Sequence, residues 1–258
     1  MTRHIDFDEI QNFRDFGGYA TASGRPLRSG RLYRSANHSR ATDLDLARLR
    51  ELGIAVVVDL RQPREREREP SRRWEGFAAA VIENHESEQH PDWESAARAA
   101  PELTAEWFFQ DALAFYGRTP FEPRYVDLFS RYFRTLAETD GAVVVHCAAG
   151  KDRTGMICAL THHLAGVGRD DLVADYLLTN DESRLARKIE VVTPWFEKAF
   201  GRRPSDDALR VLVSVQPEYL ANAFAVMEAR HGSIDGYLEA VLGVDAAMRE
   251  RIHERLLA

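Results

Sequence analysis

The stretch His146-Cys147-Ala148-Ala149-Gly150-Lys151-Asp152-Arg153-Thr154-Gly155 places a thiol, small side chains, two cations, a carboxylate and a hydroxyl in one short run. A thiol attacks only as its thiolate, a form favoured by a helix N-terminus and neighbouring cations. Ala148, Ala149 and Gly150 leave room for the backbone to curl round an anion and present successive N–H groups to it. Arg153 lies five residues beyond Cys147, close enough for its planar guanidinium to fold back and grip two phosphoryl oxygens. The Thr154 hydroxyl is near enough in sequence to hydrogen-bond the Cys147 sulfur. Lys151 adds a cation at the mouth of the loop, serving a further phosphate or acidic group on the substrate, or else standing solvated. Together these residues suit transfer of a phosphoryl group to sulfur and then to water. An inert buried thiol is the usual state of a lone cysteine. The joint presence of Arg153, Thr154 and the small residues weighs against it for Cys147, whereas Cys158, inside an apolar segment, reads as core packing.

The elements around this run agree with that chemistry. Ala142 to Val145 reads as a strand buried on both faces, and Met156 to Ala165, closed by Gly166, as a helix packed on the sheet. A loop that leaves a strand and enters a helix presents unpaired N–H groups and the positive end of the helix dipole. Upstream, Thr42 with Asp45 three residues on signals a capped helix with a Leu46, Leu49, Leu52 stripe and a stop at Gly53. Ile54 to Val58 then forms a second buried strand that ends at Asp59-Leu60-Arg61. Helix and strand alternate again at Tyr125 to Leu136, so the fold class is α/β. Residues 12–35 read as a hairpin-like N-terminal flap, and the Arg/Glu run 61–73 as a solvated loop or short helix. Residues 83–120 form a polar excursion followed by an apolar-faced helix, either an ordinary packing helix or a lid over the site. The last third is mostly amphipathic helix, including Tyr219 to Arg230 and Ala246 to Leu257.

At 258 residues the chain reads as a single domain, 1–258. A net charge of -7 argues against a general nucleic-acid or anionic-membrane binder, so any anion site must be local. Two cysteines exclude a disulfide framework. The absence of a signal-like start or a long apolar run points to the cytoplasm, with no integral membrane association. Secretion without a cleavable signal stays open, and the sequence does not speak to oligomeric state. His162 and His163 lack the i, i+4 spacing of a helical metal pair, and His146 reads as a loop-ordering residue rather than a base.

The run at 146–154 resembles the H-C-x-x-x-x-x-R-[ST] signature of the protein tyrosine phosphatase superfamily. Asn12-Phe13-Arg14-Asp15-Phe16-Gly17-Gly18-Tyr19, Asp59-Leu60-Arg61 and Gly232-Ser233-Ile234-Asp235-Gly236-Tyr237-Leu238 narrow the resemblance to the bacterial and fungal atypical branch, which includes mycobacterial and Listeria lipid-and-protein phosphatases. The resemblance implies a cysteine-phosphatase fold with a central four-or-five-stranded, mostly parallel sheet flanked by helices. It also implies no metal or other cofactor, and a phosphorylated protein or phosphoinositide as substrate. The superfamily's Trp-Pro-Asp acid loop is missing, its nearest imitation being His90-Pro91-Asp92-Trp93 in the polar excursion. The resemblance to the branch makes Asp152 the general acid; Asp59 is the alternative, as acid or as an orienting group. Arg61 is a secondary candidate for the substrate's anion, or else the partner of Asp15 or Asp59 in an ion pair. Three other readings keep the same loop: a phosphoinositide or small-molecule phosphatase, a non-catalytic phospho-binding module, and a rhodanese-type sulfur transferase, against which Thr154 and the Arg spacing weigh.

Overall fold

A computed structural model describes residues 3–90 and 93–258, so Pro91 and Asp92 of the acid-loop imitation lie outside the described residues. Its centre is a five-stranded sheet of β1 (Arg14–Asp15), β2 (Leu32–Ser35), β3 (Ile54–Asp59), β4 (Ala80–Ile82) and β5 (Ala142–His146), in the order β1-β2-β5-β3-β4. Only the β1–β2 pair is antiparallel; β2, β5, β3 and β4 run parallel. Side chains alternate across the sheet. Val57 and Val144 therefore face a cluster with Leu46 and Leu49, while Val56, Val58, Val143 and Val145 face the larger core.

Helix α1 (Asp43–Glu51) begins as its sequence predicts: Thr42 Oγ1 accepts from the Asp45 amide, and the Asp45 carboxylate accepts from the Thr42 amide, each at 3.1 Å. Such a cap contributes about 1 kcal/mol. After α2 (Pro63–Arg68), α3 (Trp93–Ala99) and α4 (Ala105–Arg118), α5 (Pro123–Glu138) buries Leu128, Phe129, Phe133 and Leu136 against the sheet. Each of these contributes roughly 1.5–3 kcal/mol of apolar burial. Beyond β5 the chain is helical: α6 (Asp152–Ala165), α7 (Arg169–Leu177), α8 (Glu182–Phe200), α9 (Asp206–Val213), α10 (Pro217–His231), α11 (Ile234–Ala240) and α12 (Ala246–Leu256). A separate apolar cluster, with Leu103 and Phe108 against Phe196 and Ala208, ties the 83–120 excursion to α8 and α9.

Two features position the site. The register brings Ser35, His146 and Asp59 level at the carboxyl ends of β2, β5 and β3, where ligands of parallel sheets collect. The segment 12–35, read from its sequence as a hairpin-like flap, does pair β1 with β2 antiparallel, and both strands are part of the sheet. Its Arg14 and Arg34 are fully buried on either side of Asp175, at 3.4 and 3.1 Å.

Candidate active site

The loop between β5 and α6 is held from outside by its carbonyls. Ala148 O accepts from the backbone N and side-chain Nδ2 of Asn37, both at 3.1 Å. Gly150 O accepts from Asn12 Nδ2 at 2.7 Å and Arg34 Nη2 at 3.0 Å. Because a trans peptide points its C=O and N–H in opposite directions, these bonds turn the following amides, of Ala149 and Lys151, inward. Among the described residues none accepts from the amides of Ala148 to Arg153. Gly150 is required twice over: its φ is +66°, and a Cβ there would stand 2.3 Å from Ser35 O. Gly155 admits the Tyr176 ring, which a Cβ would meet at 2.7 Å.

Cys147 is 2% exposed and opens onto a cavity of about 640 Å³, which Ala148, Ala149, Lys151, Asp152 and Arg153 also line. The facing wall mixes Phe108, Ala112 and Phe115 of α4 with Val191, Val192 and Trp195 of α8. Arg153 is gripped by Glu65, Nη1 to Oε2 at 2.6 Å and Nη2 to Oε1 at 2.8 Å. A guanidinium has five N–H donors, so this end-on pair leaves the Nε–Nη2 edge for two oxygens of an anion. Burial would raise the Glu65 carboxyl, but the Arg153 charge and hydrogen bonds bring it down to about 2.

The Glu65 clamp was not legible in the Arg/Glu run, which reads as solvated. Glu65 is set by a local cap, its Oε2 accepting from the Gln62 amide at 2.7 Å, but its partner is 88 positions away. The capping spacing Gln62-x-x-Glu65 is the one sequence signal that could have found it.

Asp152 sits at the first turn of α6, its Oδ1 accepting from Tyr116 Oη at 3.1 Å; the Tyr116 hydroxyl in turn meets that of Tyr176 at 2.7 Å. Asp59 does not fit the acid role. It is 1% exposed and paired with Arg61, Nη2 to Oδ2 at 2.7 Å. Burial alone would raise its carboxyl, yet His146 and the Arg61 guanidinium hold it well below the usual carboxylate range, ionised and away from the cavity. The same pair makes Arg61 structural: Glu69 O and Ser71 Oγ, each at 2.7 Å, take two more of its donors. Asp15 instead accepts from the amides of Gly17 and Gly30.

Lys151 also departs from expectation. Its Nζ donates to Leu212 O and, at 3.1 Å, to Ser214 O, latching the loop to the end of α9, so it contributes its backbone amide rather than a free ammonium. Thr154 Oγ1 is buried without a hydrogen-bond partner among the described residues, so the expected bond to the Cys147 sulfur is not made in this arrangement. His146 is buried and stacks on His38 at 4.7 Å; burial lowers it to about 4, so it is neutral near pH 7. Burial pushes the Cys158 thiol up to about 12, as suits a core residue.

This arrangement can bind a tetrahedral dianion on inward amides, attack it with sulfur and protonate a leaving group. The model of the tyrosine phosphatase family matches residues 5–258. A protein of Cupriavidus necator, named as a tyrosine-protein phosphatase, is 35% identical over 95% of this chain and 86% of its own length. The triple specificity protein phosphatase PtpB of Mycobacterium tuberculosis is 35% identical over 95% of this chain and 96% of its own. A tyrosine-protein phosphatase of Nostoc commune is 27% identical over 86% of this chain and 73% of its own.

Proposed function

The chain belongs to the tyrosine phosphatase family, and from that premise we propose that the loop at 147–153 is where it hydrolyses phosphotyrosine, in two half-reactions through Cys147. The chain is a cysteine-dependent phosphatase with a phosphorylated substrate. In the first half-reaction the Cys147 sulfur attacks phosphorus as the bond to the leaving oxygen breaks, and Asp152 gives that oxygen its proton. In the second, water attacks the phosphocysteine, Asp152 takes the water's proton, and inorganic phosphate leaves with the thiolate restored. The amides and the free edge of Arg153 hold the phosphoryl oxygens throughout and are aimed where charge spreads. Tyr116 positions Asp152. The buried Thr154 hydroxyl, with no other partner, is available to the sulfur as it becomes a leaving group.

One observation carries this reading: outward-held carbonyls beside Cys147 leave a cup of unengaged amides. The apolar α4 and α8 wall suits an aromatic ring. A second substrate class, phosphoinositides, is favoured by the breadth of the cavity and by Arg40, Arg64 and Arg68 on its lining. Both cysteines are free, which fits a reducing compartment such as the cytoplasm. Among the described residues no helix is long and apolar enough to cross a membrane.

The test compares Asp152→Asn with wild type on a phosphotyrosine peptide and on an aryl phosphate whose leaving group needs no proton. Loss of the acid lowers kcat on the peptide by roughly 10²–10⁴ and much less on the activated ester. Equal losses on both substrates would assign Asp152 a structural role.

A further inference from the structure

Lys188, Val191, Val192 and Trp195 recur along α8 at i, i+3, i+4 and i+7, and all four line the cavity over Cys147. Three are apolar; the fourth carries an amine. Lys188 Nζ is sealed from solvent and has no hydrogen-bond partner among the described residues. Three other cations around the cavity are engaged: Arg153 by Glu65, Lys151 by the Leu212 and Ser214 carbonyls, Arg187 by Glu9 at 3.2 Å. A buried ammonium without a partner is costly, and such groups are retained where something fills the vacant bond.

We propose that Lys188 is a substrate-binding residue of this site: its amine, delivered by α8 into the cavity that the phosphate loop lines, bonds one oxygen of the seated anion. The proposal rests on the loop being the phosphate site. It adds a contact from a wall other than that of Arg153, which is anchored beside α2. The electrostatics support it. Burial, then the charges of Lys151 and Arg14, bring the Lys188 amine down to about 7, while Asp152 and Cys147 pull the other way. Asp111 of α4 and Glu65 of α2 line the same cavity, the latter already paired with Arg153. A dianion entering beside Lys188 favours the charged form, so binding above neutrality draws a proton from solvent.

The experiment measures tungstate binding by calorimetry in buffers of different ionisation heat. The parent is Cys147→Ser, which removes the thiol's own titration, and it is compared with the same protein carrying Lys188→Met or Lys188→Arg. Lys188→Met is expected to weaken binding roughly tenfold or more near neutral pH, the loss expected of a hydrogen bond between charged groups, and to abolish proton uptake on the alkaline side. Lys188→Arg, always charged, should keep the affinity but lose the uptake. Affinity within about twofold of the parent for Lys188→Met, or uptake that survives the substitution, overturns the assignment. Tungstate is not hydrolysed, so this readout is separate from turnover: a wild type that fails to cleave phosphotyrosine sinks the catalytic reading without deciding the role of Lys188.

Discussion

At the scale of single residues, the site is a set of charges whose partners decide their roles. Arg61 is buried and Arg153 partly buried, and both are paired with a carboxylate, yet only Arg153 lines the cavity. Glu65 determines which edge of its guanidinium is left for the anion. Glu65→Gln keeps a capping side chain on α2 but removes the charge that aligns the guanidinium. We expect kcat/KM to fall on the order of 10²-fold, the cost of misplacing a positioning group, with a smaller change in thermal stability. An unchanged kcat/KM would mean that the phosphate aligns Arg153 unaided. Since Glu65 ionises at about 2 in the fold, its titration adds no acid limb to the wild-type profile above about pH 4.

At the scale of elements, the loop is shaped by β1, β2 and α7 as much as by β5 and α6. Asp175 on α7 holds Arg14 and Arg34, and these hold Asn12 and Gly150 O. Asp175→Asn leaves two buried guanidiniums without a counter-charge, and roughly 3–5 kcal/mol of stability should be lost. Burial would raise the Asp175 carboxyl, but Arg14 and Arg34 lower it from 3.8 to about 2. Its contribution is therefore full above the unfolded value and disappears as pH falls through about 2. Urea unfolding of wild type and variant should show a large gap at neutral pH that closes in acid; a gap independent of pH would contradict the ion-pair account.

This scale also shows what the sequence could and could not reveal. The cap at Thr42, the runs Ile54 to Val58 and Ala142 to Val145, and the helix stop at Gly166 are local patterns and appear in the fold as read. The roles of Arg14, Arg34 and Glu65 depend on partners 88 to 161 positions away, and no local pattern distinguishes a buried arginine from a solvated one. Lys188 was missed for the same reason: an amphipathic helix does not announce which surface its cation meets.

At the scale of the whole molecule, a net charge of -7 is compatible with an anion site, because short-range amides and the Arg153 guanidinium act locally inside the cavity. The chain's overall charge thus excludes general polyanion binding without excluding one phosphate. The central claim is that this phosphate passes through Cys147. It is tested most directly by acid-quenching the wild type during turnover of a phosphotyrosine peptide and mapping the phosphoryl group by mass spectrometry. The account predicts one phosphoryl group on the peptide containing Cys147, absent from Cys147→Ser, which should not turn over. Phosphate found on another residue, or steady turnover by Cys147→Ser, would contradict it.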